Sequence, residues 1–276
     1  MRRNFLTVTV AASWVTAGIL LAGCTSGTGG SATKTPATKL PATEAPAAAS
    51  GKVTGKVNVF AAASLKEAFT QLGHQFEARY PGTKVVLNFG PSSGLAAQIN
   101  QGAPADVFAS ASSNNMGLVI TAGKAAASTN FASNTMEIAV PPRNPAGITQ
   151  LSDLARRGVK VAVCQNAVPC GSTAVNAFTN AKLTVVPVTQ EVDVKAVLTK
   201  VTLGEVDAGV VYVTDVKAAG SKVKGITIPA AVNATTKYPI ATLTKAPNKA
   251  AAKAFADYVL SANGARVLTA TGFAKP

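Results

Sequence analysis

Residues 57–76, VNVFAAASLKEAFTQLGHQF, carry the chain from one structural period to another. Val57, Val59 and Phe60 belong to a short apolar run of the kind that pairs into a sheet, and three alanines follow it. From there Leu65, Ala68, Phe69, Leu72 and Phe76 fall at helical spacing, the apolar stripe of an amphipathic helix. Ser64 stands directly before that stripe, where a serine ordinarily serves as an N-cap. The alanines ahead of it leave room for something to approach the backbone.

The same arrangement returns with the next strand. Residues 85–89 read as strand, Gly90-Pro91-Ser92-Ser93-Gly94 as a loop of small residues, and 95–99 as the opening of a helix. In a parallel sheet such loops lie side by side at the carboxyl edge, where ligands bind. Helix N-termini offer free N–H groups and a partial positive charge. Two of them aimed at one point make an anion site without a basic side chain. Ser64 and Ser92 would each add a hydroxyl, with Ser93 as an additional donor.

Strand and helix patterns keep alternating, which predicts an α/β fold. Strands are expected at 107–110, 136–140, 159–164, 185–188, 206–212 and 238–243, and helices near 113–122, at 194–201 (with Asp193 as cap) and over 250–269. A short helix is expected at 151–154, and a loop at 165–172 before another helix. Pro141, Pro142 and Pro145 mark a break, read as the crossing into a second lobe.

The amino terminus indicates the compartment. Arg2 and Arg3 precede an almost uncharged apolar run that ends in Leu21-Ala22-Gly23-Cys24, a secretory signal. The LAGC ending resembles the lipobox of bacterial lipoproteins, with Cys24 as the lipidated residue and 1–23 as the leader. Residues 24–56 are rich in Ser, Thr, Gly, Ala and Pro and read as a flexible tether. The chain carries 26 Lys+Arg against 12 Asp+Glu, a net charge of +14, which steers anions toward it. The lysines are scattered without interleaved aromatics, which argues against a nucleic-acid partner.

Of three cysteines, Cys164 and Cys170 remain after Cys24, and in an oxidising compartment such a pair predicts a disulfide. The single histidine, His74, falls away from the apolar stripe and is expected on a solvated face. No GxSxG, HExxH or P-loop occurs, and no paired carboxylates stand in helical register. General acid–base chemistry therefore lacks players, and a binding protein rather than an enzyme is expected.

FAAASL (60–65), SSGLAAQI (92–99) with GAPADVFAS (102–110), VPCG (168–171) and GVVYVTDV (209–216) together resemble the substrate-binding component of the bacterial molybdate/tungstate ABC importer. The resemblance runs over most of 57–276. It implies a type II periplasmic-binding-protein fold, two lobes hinged around an interlobe ligand cleft, with lobe I as 57–137 plus 238–276 and lobe II as 138–237. It implies an oxyanion, molybdate or tungstate, held by neutral donors: the hydroxyls of Ser64, Ser92 and Tyr212 and the N–H groups of Cys170 and Val194. It implies no cofactor and no direct metal ligand. The implied partners are the permease and ATPase subunits of an importer, met by a monomer anchored to the outer face of the cytoplasmic membrane. Cys170 stands where the family usually has alanine. A receptor for sulfate or another tetrahedral oxyanion is the alternative, and a cell-envelope adhesion lipoprotein a more distant one.

Overall fold

The structure, a computed structural model, describes residues 53–276. The leader, Cys24 and nearly all of the expected tether lie outside the described residues. Strand β1 (Gly55–Ala62) runs into a 3-10 turn (Ala63–Leu65) and helix α1 (Lys66–Arg79). Then come β2 (Thr83–Gly90), α2 (Ser92–Asn100), β3 (Val107–Ala109), α3 (Ser113–Thr121) and the long β4 (Thr129–Val140). A 3-10 turn (Leu151–Ala155) precedes β5 (Val161–Cys164), α4 (Pro169–Asn180), β6 (Thr189–Glu191), α5 (Val194–Thr202) and β7 (Ala208–Tyr212). The chain closes with α6 (Val213–Ala219), β8 (Lys224–Thr227), β9 (Thr235–Thr242), α7 (Lys249–Leu260) and α8 (Ala262–Thr271).

The strands follow the order β2-β1-β3-β9-β4-β7-β5-β6, with β8 also on β4. β1 pairs in parallel with β2 and β3, and β5 in parallel with β6 and β7. Period-two alternation places Val57, Val59 and Ala61 of β1 in a core closed by α1, α7 and α8, and turns Phe60 to a second core under α2 and α3. A third core gathers β5 and β7 with α4 and α5. Strands buried on both faces read as continuous apolar runs.

β4 joins the two halves by changing partner along its length. Thr129–Thr135 pairs with β9, whereas Met136–Val140 pairs with β7 and β8. The three prolines follow this change rather than carry it. The expected strand at 185–188 is also displaced: β6 begins at Thr189, and Val186 and Val188 are exposed. Pro187 has no N–H to give a ladder, so pairing starts beyond it. The expected final helix is two helices, broken at Ser261, whose hydroxyl accepts the Gly264 N–H to start the second.

Candidate oxyanion-binding cleft

Five residues singled out in the sequence, Ser64, Ser92, Cys170, Val194 and Tyr212, line one small cleft together with Ala62, Ala63, Gly90, Pro91 and Asp193. Each follows or ends a strand that runs in parallel with a neighbour: β1, β2, β5, β6 and β7. The cleft therefore sits at the carboxyl edge of both halves, and the first turns of α2, α4 and α5 face it with N–H groups no helix can satisfy internally. The room between these residues is about 20 Å³ for the centres of water-sized atoms. That exceeds the ~10–15 Å³ one water needs and is far below the ~300–1,000 Å³ of an organic-ligand pocket. Ser93 is half-buried on α2 and does not line the cleft. His74 lies exposed on α1, as expected.

The two serines are not helix caps. The N-cap of α1 is Leu65 and that of α2 is Pro91, neither with a side-chain bond. Ser92 Oγ instead accepts the Ala111 N–H at 2.9 Å. An N–H only donates, so the Ser92 proton is left to point elsewhere. Ser64 Oγ lies 2.9 Å from the Tyr238 hydroxyl in a buried contact. Asp193, in contrast, caps as expected: its Oδ1 accepts the N–H groups of Lys195 and Ala196 at 2.9 and 3.0 Å.

Cys170 and Val194 offer backbone. Gly171 and Ser172 N–H groups return to the Val168 carbonyl, while those of Cys170 and Val194 find no acceptor among the described residues. Cys170 is disulfide-bonded to Cys164 at the end of β5, with Cα atoms 5.7 Å apart, which ties the first turn of α4 to its preceding strand. Tyr212 is fully buried, and its hydroxyl has no hydrogen-bond partner among the described residues. Burial pushes that hydroxyl well above its usual range, so it stays a protonated donor.

Among the described residues, no lysine or arginine lines the cleft. Behind it, Lys195 Nζ reaches Glu67 of α1 at 2.8 Å and Asp215 of α6 at 2.9 Å. Burial works to lower the Lys195 pKa, and the two carboxylates together outweigh it and raise it. Burial pushes Asp215 up to about 6 against the pull of Lys195. Sequence reading missed this cluster and Tyr238, because their partners are distant in the chain and no local pattern announces them.

Residues 57–274 match the bacterial extracellular solute-binding protein family. The chain is 46% identical over 219 residues to the molybdate-binding protein ModA of Mycobacterium tuberculosis, covering 79% of this chain and 84% of that protein. A substrate-binding domain ascribed to a molybdenum ABC transporter of Clostridium difficile superposes with a TM-score of 0.62 at 28% identity, over 81% of this chain and all of that one. The periplasmic molybdate-binding protein of Azotobacter vinelandii superposes with a TM-score of 0.71 at 22% identity, over 80% of this chain and 99% of that one, a likeness of fold.

Proposed function

The chain belongs to the bacterial extracellular solute-binding protein family, and from that premise we propose that it captures molybdate, and tungstate with it, for delivery to an ABC importer. The relatives are molybdate binders by name, and the observation that carries the reading is the makeup of the cleft. Ser64, Ser92, Tyr212, Cys170 and Val194 line one small space, which makes three hydroxyls and two backbone N–H groups available to a ligand, with no basic side chain among the described lining residues. A dianion entering it would exchange water for donors of fixed geometry. Hydrogen bonds to charged groups contribute roughly 1.5–3 kcal/mol each, enough together for sub-micromolar binding after the cost of association.

The cleft favours a fully deprotonated anion. Hydrogen phosphate carries a proton that needs an acceptor, and Asp193, the carboxylate lining the cleft among the described residues, is held as the cap of α5 through its Oδ1. Binding and release leave the anion unchanged, so the protein acts as a receptor, with molybdate as cargo rather than cofactor. In this reading Cys24 is lipidated and holds a monomer at the outer face of the cytoplasmic membrane, where it meets the permease and ATPase subunits. The lobes are 57–137 plus 238–276 and 138–237, closing over the anion.

Calorimetric titration of the purified protein with molybdate, tungstate, sulfate and phosphate tests the assignment. Molybdate and tungstate are expected to bind in the sub-micromolar range, with sulfate far weaker and phosphate weaker still. Sulfate binding tighter than molybdate would overturn it in favour of a sulfate receptor.

A further inference from the structure

We propose that Lys195 is a positioning residue: through Asp215 it holds the Val194 N–H and the Tyr212 hydroxyl at a fixed spacing, and so sets the size of oxyanion the cleft accepts. The inference rests on the reading of the cleft as a molybdate site. Val194 opens α5 and Tyr212 ends β7, so these two donors come from neighbouring elements whose relative position has to be held. Apolar packing does part of this. Val197 and Val201 of α5 sit on Gly209 of β7, where a Cβ would lie 2.8 and 2.7 Å from them. That close approach sets how far the helix stands from the strand. Contacts of this kind are non-directional and leave sliding along the strand open.

Lys195 supplies the directional link. Its backbone N–H is bound by Asp193 Oδ1 at 2.9 Å in the first turn of α5, directly beside the Val194 N–H. Its ammonium lies 2.9 Å from Asp215 Oδ1, an oxygen with no other partner among the described residues. The other oxygen of that carboxylate accepts the Tyr212 N–H at 3.1 Å. The Tyr212 ring packs edge-on against Tyr238, with centroids 6.3 Å apart, which carries the fixed backbone position out to the hydroxyl. One carboxylate thus joins the start of α5 to the end of β7. Asp215 is fully buried, which keeps water from competing at its end of the link.

Other donors of the cleft have their own anchors: Cys170 is bonded to β5 by the disulfide, and Ser92 is held by the Ala111 N–H. Sulfate is smaller than molybdate, with shorter bonds from its centre to its oxygens. Donors held at the spacing of molybdate cannot all reach sulfate at hydrogen-bond length, whereas a frame free to contract can.

The test compares wild type, Asp215→Asn and the double variant Lys195→Met/Asp215→Asn by calorimetry with molybdate and with sulfate. The titrations are run at pH 8, where wild-type Asp215 is ionised. Thermal melting of the ligand-free proteins is the folding control. The double variant removes one charge of each sign, so it strands no buried charge and leaves the long-range pull on anions unchanged. The asparagine amide oxygen can still accept the Tyr212 N–H. Asp215→Asn alone keeps Lys195 paired with Glu67 and carries the test if the double variant does not fold. In the double variant molybdate is expected to weaken about tenfold and sulfate much less, so that the preference for molybdate narrows about fivefold or more. Its melting temperature should stay near that of wild type, and Asp215→Asn should narrow the preference in the same direction. An unchanged preference in a folded variant, whether both anions weaken equally or neither does, would overturn the proposal while wild-type binding stands. A wild-type protein that binds no molybdate would overturn the reading of the cleft, and this proposal with it.

Discussion

Tyr212 holds a buried hydroxyl that finds no hydrogen-bond partner among the described residues, and such a group costs about 1–3 kcal/mol unless something arrives to accept its proton. Tyr212→Phe should therefore leave the ligand-free melting temperature unchanged or higher, while weakening molybdate about tenfold or more by calorimetry. A loss of both stability and affinity would place Tyr212 in the core alone. Asp215 makes a second residue-level test. Its carboxyl titrates near 6 when folded against 3.8 as a free group, with Lys195 and Glu67 as its charged neighbours. A raised folded pKa means that its contribution is complete below about pH 4 and is lost as pH rises toward 6. Relative to Asp215→Asn, the wild type should lose up to about 3 kcal/mol between pH 4 and 7, read from denaturant midpoints at each pH. The sequence pointed to Ser64 and Ser92 through their small flanking residues, but the expectation that a serine there caps its helix does not hold. A capping serine and a serine that lines a cleft occupy the same place before a helix, and what separates them here is a partner 174 residues away for Ser64 and 19 for Ser92.

At the scale of elements, the turn from β5 into α4 is the tightest part of the cleft. A Cβ built on Gly171 would lie 2.0 Å from the Gln165 carbonyl oxygen and 2.8 Å from that of Cys164, so only glycine lets the helix start so close to the strand. Gly171→Ala must push the first turn of α4 away, and with it the Cys170 N–H. It is expected to lower the melting temperature by roughly 5 °C and to weaken molybdate in calorimetry; an unchanged protein would show that the turn yields freely. The disulfide closes the same short turn, worth ~2 kcal/mol by its effect on the unfolded chain. The alternation of β and α elements was legible because apolar period and small-residue loops are local signals. The short β8, of four residues, and α6, of seven, were missed because such short elements carry too little periodicity to read. The change of partner along β4 was also hidden, since a strand's sequence does not say which neighbour takes each half.

For the whole molecule, an ion pair behind the cleft bears on the proposed closure. Glu67 lies on α1, packed in the first core, and Lys195 on α5, packed in the core of β5 and β7, so their 2.8 Å pair spans the two halves. On the proposed reading, a closed state that holds the anion would gain from it and an open state would not, so the pair would bias the closing equilibrium and through it the apparent affinity. Glu67→Ala is the informative variant, because Lys195 then keeps Asp215 and no buried carboxylate is stranded. Glu67 is half-exposed, which limits the pair to at most about 1 kcal/mol, or roughly a fivefold loss of affinity. The loss should appear mainly as faster dissociation in stopped-flow exchange, because the anion's approach is governed by the long-range field of a chain with net charge +14. That field is screened by salt, so raising ionic strength should slow association in wild type and variant alike. A Glu67→Ala protein whose dissociation rate equals that of wild type would show that closure is carried by the anion's own contacts and that the pair is a bystander.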